Sequence, residues 1–175
     1  VTIVPRGQSL GAAWYLPEER QITRTAQMLD EMCSLLGGRA AEEVIFNQIS
    51  TGALSDLERT TKMAQAMVTI YGLNNKLGNV SYYDSSGQQG FFMDKPYSDD
   101  TAKIIDEEIS VLIEGQYERA KTLLQDNKDK LDQLAQKLLE KEVIFRDDLE
   151  LIFGKRPFDK DSSVDDDASS ISKEM

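Results

Sequence analysis

The chain has 175 residues and a formal net charge of −11 at pH 7, from 31 acidic and 20 basic side chains. Nucleic acid is therefore not an expected partner, because phosphate backbones need compensating lysine and arginine. The sequence contains no histidine and a single cysteine, Cys33, which excludes histidine-based nucleophiles, histidine metal ligands and an internal disulfide. No apolar run approaches the roughly 20 residues that cross a bilayer. Since the chain begins at Val1 and not at a methionine, we expect it to be a piece of a longer protein.

The opening of the chain predicts a small β-element. Val1–Val4 is a β-branched run that Pro5–Gly7 closes with a turn signature. Leu10–Leu16 is a second extended candidate, ended by Pro17. We interpret the pair as a hairpin and expect helices after it.

The segment from Thr25 predicts a long amphipathic helix. Its apolar residues recur three or four apart, at Ala26, Leu29, Cys33, Leu36, Ala40 and Val44. This phase is unbroken across Gly37–Gly38, although two glycines in a helix cost about 2 kcal/mol relative to alanines. We therefore expect another backbone to pack closely against them. Two helices with a glycine break remain the alternative.

After a loop at Phe46–Thr51, a second helix carries apolar residues from Leu57 to Tyr71 and stops at Gly72. Residues 73–97 are predicted as loop, with a candidate short strand at Asn79–Tyr83. Ser98 is a good N-cap for a long helix, because two aspartates follow it where the helix dipole favours acids.

Two further helices are predicted near the end, one around Leu131–Leu139 and one at Asp147–Phe153. Residues 156–175 are mostly aspartate, serine and lysine, so we predict a disordered acidic tail. The fold class is therefore mainly α, with a small β-element at the N-terminus, one domain over residues 1–155 and the tail behind it.

Few residues suggest chemistry by themselves. Asp56 follows the small polar run STGALS and precedes an apparent helix, which by itself describes an ordinary helix-starting carboxylate. The acidic clusters 106–108 and 165–167 are interpreted as structural or solvating, since neither has the pattern of a calcium loop. Cys33 is predicted to be a buried, inert thiol in its apolar stripe.

Seven stretches, taken in order, carry a family resemblance: VTIVPRG at 1–7, LGAAWYLP at 10–17, LLGGRAAEEVIF at 35–46, STGALSDLERTT at 50–61, YGLNNKLG at 71–78, YSDDTAKIIDEEI at 97–109 and LLEKEVI at 138–144. This series resembles the peptidase domain of the FtsH family, the membrane-anchored ATP-dependent zinc metalloproteases. It covers roughly residues 1–157, which is nearly everything except the tail.

The resemblance implies a helical protease domain and a role for Asp56. In the family, two histidines of an H-E-A-G-H helix and the aspartate of the TGA–DL stretch bind zinc, and that aspartate matches Asp56. The glutamate between the histidines takes a proton from the zinc-bound water. The H-E-A-G-H helix precedes the VTIVPRG strand, so these partners lie outside this chain. Glu42 or Glu43 is a candidate acceptor for the second ring N–H of a zinc-bound histidine, or else a surface glutamate paired with Arg39.

The resemblance also implies properties of the longer protein to which this chain would belong. That protein acts on protein and peptide substrates, and its subunits form homo- or hetero-hexamers. An ATPase module, which uses ATP and magnesium, and a membrane anchor precede the part represented by this chain. The expected location is the cytoplasmic face of the bacterial inner membrane, or the matrix side of the mitochondrial inner membrane. A non-catalytic scaffold module derived from the family is the alternative.

Two expectations concern this chain itself. An edge strand at Leu10, Gly11, Ala12, Ala13 and Trp14 is a candidate substrate-binding site, because extended peptides add to exposed sheet edges. An ordinary structural strand is the alternative. The isolated chain is expected to be inactive and to hold zinc weakly at most, with an apolar groove at Leu36 and Ala40 where the zinc helix is missing.

Overall fold

The computed structural model describes residues 1–7, 11–13, 22–83 and 96–155. These residues form five α-helices: α1 (Thr25–Phe46), α2 (Leu54–Thr69), α3 (Asp99–Asp126), α4 (Lys128–Lys141) and α5 (Arg146–Phe153). The predicted mainly α class is confirmed, and within these ranges no helix has the length and apolar character needed to span a bilayer. The predicted tail at 156–175 lies outside the described residues.

The chain divides into two compact units, a central one (Pro17–Lys128) and a terminal one that joins Val1–Leu16 to Asp129–Met175. In the central unit α1, α2 and α3 pack pairwise against one another. A 3-10 turn at Thr51–Ala53 leads directly into α2.

Helix α1 runs through both glycines, as the apolar periodicity predicted. An added Cβ at Gly37 or Gly38 would meet no described atom within 4 Å. The expectation that another backbone packs against them is therefore not met by the described part of this chain. The residue that caps the end of the helix is Asn47, whose left-handed backbone (φ 52°) is a conformation that asparagine tolerates well.

Two apolar clusters hold the central unit together. The first contains the buried residues Met32, Ala64 and Met67, and the second contains Cys33, Ala40 and Ala120. Small side chains in the second cluster allow α1 and α3 to approach closely. Cys33 is buried as predicted, and burial raises the pKa of its thiol.

The predicted apolar groove at Leu36 and Ala40 is wrong. Leu36 is 2% exposed and Ala40 is fully buried. Ala40 packs with Ala120 of α3, so α3 covers the face that we expected to be open. The sequence could not indicate this, because nothing local specifies which helix covers an apolar stripe.

The segment between α2 and α3 differs from the prediction in one respect. Gly72 (φ +62°) follows the end of α2 as expected, but Asn79–Tyr83 forms no strand. The amide of Tyr82 instead donates a single hydrogen bond to the Thr69 carbonyl (2.7 Å). Ser98 caps α3 as predicted by accepting a hydrogen bond from the Thr101 amide (3.3 Å).

The predicted N-terminal β-element is present as bridges centred on Thr2. Thr2 and Ala12 exchange two backbone hydrogen bonds (2.9 and 3.0 Å), as the hairpin interpretation requires. On its other side Thr2 bridges Val143, and Val1 and Ile144 exchange a pair of hydrogen bonds. The sequence analysis did not assign this third extended segment.

Helices α4 and α5 are joined by a carboxylate in the terminal unit. Asp148 accepts a hydrogen bond from the Phe145 amide (3.3 Å) at the start of α5, and it pairs with Lys141 of α4 at 2.7 Å. These contacts hold the pKa of Asp148 below its usual value, with the Lys141 hydrogen bond as the main cause. The short connection through 142–144 is thereby anchored at both helices.

Thr60 generates a stability prediction. Its side chain is fully buried in α2, and its hydroxyl has no hydrogen-bond partner among the described residues. A buried, unsatisfied hydroxyl costs about 1–3 kcal/mol. Thr60→Val removes that group with little change of shape or helix propensity. We expect the free energy of unfolding, measured by urea denaturation, to rise by about 1 kcal/mol.

The matched control is Thr61→Val in the same turn. The Thr61 hydroxyl already donates to the Leu57 carbonyl (2.8 Å), so its removal should not stabilise the chain. Equal changes in the free energy of unfolding for the two variants would contradict the explanation that the unpaired Thr60 hydroxyl destabilises the chain.

Candidate metal-binding site

Asp56 lies in the first turn of α2, where the helix dipole favours a negative charge. Its side chain is partly buried, and the carboxylate has no hydrogen-bond or ion-pair partner among the described side chains. An ionised carboxylate is acceptor-only and is a good oxygen ligand for zinc. Asp56 is thus chemically suited to the role that the sequence analysis assigned to it.

The turn before Asp56 is fastened to α1 by Glu42. One Glu42 carboxylate oxygen accepts a hydrogen bond from the Ser50 amide (2.9 Å), and the other accepts from the Ser50 hydroxyl (2.7 Å). The Ser50 hydroxyl oxygen also accepts from the Gly52 amide (3.2 Å) and so caps the 3-10 turn. These bonds connect the GGRAAEE stretch to the STGALSD stretch.

Sequence reasoning did not identify Ser50 as a partner of Glu42. A serine before a helical turn is a recognisable N-cap signal, so the capping role of Ser50 could be inferred from the sequence. Its contact with Glu42 could not, because the seven intervening residues include an irregular loop.

Arg39 also contacts this turn. Its guanidinium donates to the Ser50 carbonyl at 3.4 Å. Among the described contacts, neither Glu42 nor Glu43 is paired with Arg39, so the alternative of a surface glutamate paired with Arg39 is not met. Arg39 acts on the pKa of both carboxyl groups only through longer-range attraction.

Glu43 points to α3. It accepts a short hydrogen bond from the Tyr117 hydroxyl and another from the Lys121 ammonium (3.3 Å). The hydrogen bond from Tyr117 is the main cause that lowers the pKa of Glu43. Burial and then the Glu43 hydrogen bond raise the pKa of Tyr117 to about 12. Glu43 therefore links two helices of the central unit.

The described residues offer Asp56 no companion ligands. Within residues 1–7, 11–13, 22–83 and 96–155, no three histidine, cysteine or carboxylate side chains lie together as a metal site would require. The donor chemistry of Asp56 fits zinc, but a catalytic site needs three protein ligands. The rest of the set would have to come from outside these residues.

Of the two acidic clusters, only 106–108 lies within the described residues. Glu108 accepts a hydrogen bond from the Asn74 side chain (2.7 Å) and pairs with Lys76 (2.5 Å), so it ties the loop after α2 to α3. This agrees with the structural interpretation of the 106–108 cluster. The 165–167 cluster lies outside the described residues.

The candidate substrate edge is described only at Gly11, Ala12 and Ala13, and Leu10 and Trp14 lie outside the described residues. A Cβ at Gly11 would come within 2.7 Å of the Thr2 carbonyl oxygen, so only glycine permits this close pairing. The amide of Ala12 is already used, because it donates to Thr2. Ala13 is exposed, and the alternation along an antiparallel strand directs its backbone groups away from Thr2.

Comparison with known proteins places this arrangement in a family. The sequence profile of peptidase family M41 matches residues 1–152. An ATP-dependent zinc metalloprotease FtsH of Parabacteroides distasonis is 60% identical over 156 residues, which cover 89% of this chain and 23% of that protein. The FtsH of Karelsulcia muelleri is 61% identical over 148 residues, covering 85% of this chain and 24% of that protein.

A eukaryotic relative is similar over an even larger share of the chain. The mouse mitochondrial inner membrane m-AAA protease component AFG3L2 is 42% identical over 166 residues, covering 95% of this chain and 21% of that protein. The chain therefore belongs to peptidase family M41. It spans about a quarter of the length of the bacterial relatives it matches.

The Glu43 contacts predict a pH-dependent effect of Glu43→Gln. Because the folded-state pKa of Glu43 is lowered from 4.5, its contribution to stability is present above pH 4.5 and is lost as the pH falls through the folded-state pKa. We expect the glutamine variant to be less stable than the parent at pH 7, with a difference that shrinks on acidification. Urea denaturation across this pH range measures it. A pH-independent difference would mean that the charge is not the cause.

Proposed function

We propose that this chain is the C-terminal portion of the protease domain of an ATP-dependent zinc metalloendopeptidase, and that Asp56 is its third zinc ligand. The observation that carries the proposal is the Asp56 carboxylate in the matched STGALSD stretch, partly buried and without a described partner. Membership of peptidase family M41 over residues 1–152 supports the assignment.

The two histidine ligands and the general-base glutamate would come from an H-E-A-G-H helix that precedes residue 1. When bound, zinc would polarise the scissile carbonyl and activate a water molecule. The part of this chain is to present the Asp56 carboxylate in a fixed position at the start of α2. The open space around Gly37 and Gly38 is compatible with an additional helix packing against α1 there.

The remaining properties are proposed for the whole protein. The relatives are named ATP-dependent proteases, so ATP and magnesium would act at an ATPase module that precedes this chain. The mouse relative is a component of a mitochondrial inner membrane protease, and we propose membrane anchoring and a hexameric assembly by analogy. The substrates would be unfolded or membrane proteins, in a role in protein quality control.

We also propose that the segment from Leu10 to Trp14 is a sheet edge to which an extended substrate peptide adds as a further strand. The exposed position of Ala13 and its outward-facing backbone groups support this proposal. Main-chain hydrogen bonds along such an edge give affinity without demanding a particular sequence, which suits a quality-control protease.

The proposed zinc site predicts a difference between this chain and a longer protein. The purified chain should bind zinc weakly at most and should not digest casein, because a single carboxylate cannot hold the ion against water and buffer. A protein extended upstream through the H-E-A-G-H helix should bind stoichiometric zinc. In that protein, Asp56→Ala should weaken zinc binding by more than about 100-fold. This loss exceeds the usual effect of removing a residue that only hydrogen-bonds to a metal ligand.

Glu58→Gln is a matched control on the same helix, because Glu58 sits in an exposed pair with Lys62 (2.6 Å). It should leave zinc content unchanged. Stoichiometric zinc or chelator-sensitive cleavage in the short chain would show that the site is misplaced.

The edge-strand proposal predicts a specific effect of Ala13→Pro in the longer protein. Proline removes the outward-facing amide without touching the Ala12 amide that donates to Thr2. We expect KM for an extended peptide to rise while zinc content stays intact. Ala13→Val, which keeps the amide, is the control. Unchanged KM and kcat in the proline variant would refute the added-strand idea.

A further inference from the structure

We propose that Glu42 is the positioning residue of the Asp56 carboxylate, acting through the turn from which α2 begins. The inference rests on the proposed role of Asp56 as a zinc ligand. Glu42 does not itself contact the metal in this scheme. It determines where the first turn of α2 lies.

The contacts form a continuous chain of hydrogen bonds. Both oxygens of Glu42 accept from Ser50, and the Ser50 hydroxyl oxygen accepts from the Gly52 amide. The turn at Thr51–Ala53 then continues into α2 without a break, and Asp56 lies in the first turn of that helix. The position of Asp56 is therefore linked to α1 mainly through the Glu42 carboxylate, and the longer Arg39 contact with the Ser50 carbonyl (3.4 Å) is a weaker second link.

Among the described residues, the start of α2 is less buried than the body of the helix. The buried residues of α2 begin at Thr60 and continue with Ala64, Met67 and Val68, so the body of the helix is anchored further along. Before Thr60 only Ala53 is buried among the turn and first helical residues, and Leu54 is 74% exposed. Loss of the Glu42 contacts should therefore loosen the first turn while the body of α2 stays packed.

The electrostatics agree with this assignment. The hydrogen bonds from the Ser50 hydroxyl and amide lower the pKa of Glu42, so the carboxylate is ionised at neutral pH. Two charge-assisted hydrogen bonds from one residue define both the distance and the direction of the contact. Misplacing a ligand by a small distance weakens a metal site, because its coordination geometry is specific.

Glu43 provides an unusually close control. It is the next residue, carries the same carboxyl group, and binds Tyr117 and Lys121 of α3 instead of the turn. A general loss of stability should follow from substitution of either glutamate. Weaker zinc binding should follow only from substitution of Glu42.

The experiment measures the zinc affinity of the full-length protein by competition with a chelator. The variants are Glu42→Ala, Glu42→Gln, Glu43→Gln and Asp56→Ala, each with its unfolding midpoint recorded. We expect Glu42→Ala to weaken zinc binding by about tenfold, at the lower end of the range for partners of metal ligands. Glu42→Gln should be intermediate, because its amide oxygen still accepts from Ser50. Glu43→Gln should bind zinc as the parent does.

A second readout is the visible spectrum of the cobalt-substituted protein, which reports ligand geometry. Glu42→Ala should alter it, and Glu43→Gln should not. If Glu42→Ala does not fold, Ser50→Ala tests the same chain of bonds, since it removes the hydroxyl but keeps the amide. Its zinc affinity should fall as well.

The outcomes distinguish a failure of the Glu42 positioning role from a failure of the proposed Asp56 zinc site. Parent-like zinc affinity in Glu42→Ala, or equal weakening in Glu42→Ala and Glu43→Gln, would overturn the positioning role while Asp56 remains a ligand. Parent-like zinc affinity in Asp56→Ala would instead overturn the proposed metal site itself.

Discussion

The close packing of α1 against α3 is the interaction on which the rest of the central unit depends. Cys33, Ala40 and Ala120 are small enough to bring the two helices together, and Met32 packs with α2 residues in the neighbouring cluster. Burial of apolar surface contributes about 25 cal/mol for each Å² removed from water, so these contacts stabilise the unit more than its exposed ion pairs do. With α1 held in this way, its polar residues acquire definite partners.

Adjacent carboxylates on α1 then serve different neighbours. Successive residues on a helix point about 100° apart, so Glu42 and Glu43 leave α1 in different directions. Glu43 reaches Tyr117 and Lys121 on α3, whereas Glu42 reaches Ser50 in the turn before α2. One short stretch of α1 thereby joins the packing of the core to the position of Asp56.

The chemistry proposed for this chain is distributed over more protein than it contains. A pair of histidines at i and i+4 presents two ligands on one helix face, and a third ligand from a separate helix completes the geometry. In the proposed set Asp56 would supply one oxygen donor, and Glu42 of α1 would keep that donor in place. Such a division would make the third ligand sensitive to residues that do not contact the metal.

Some features of this protein were determined by the sequence alone. The three- and four-residue spacing of apolar side chains predicted α1 across Gly37–Gly38, and the polar residues around Ser98 predicted the start of α3. Both signals are local, because helix periodicity and capping involve residues within a turn or two of one another. The family motifs were equally readable and singled out Asp56.

Only the tertiary structure decided which distant groups meet. Thr2 bridges Val143, Ser50 binds Glu42, and the stripe with Leu36 and Ala40 is covered within the chain. The Asn79–Tyr83 segment has strand-like composition but no ladder, since a strand requires a partner as well as a propensity. These outcomes depend on hydrogen bonds and packing between residues far apart in sequence, and no local pattern encodes the identity of such partners.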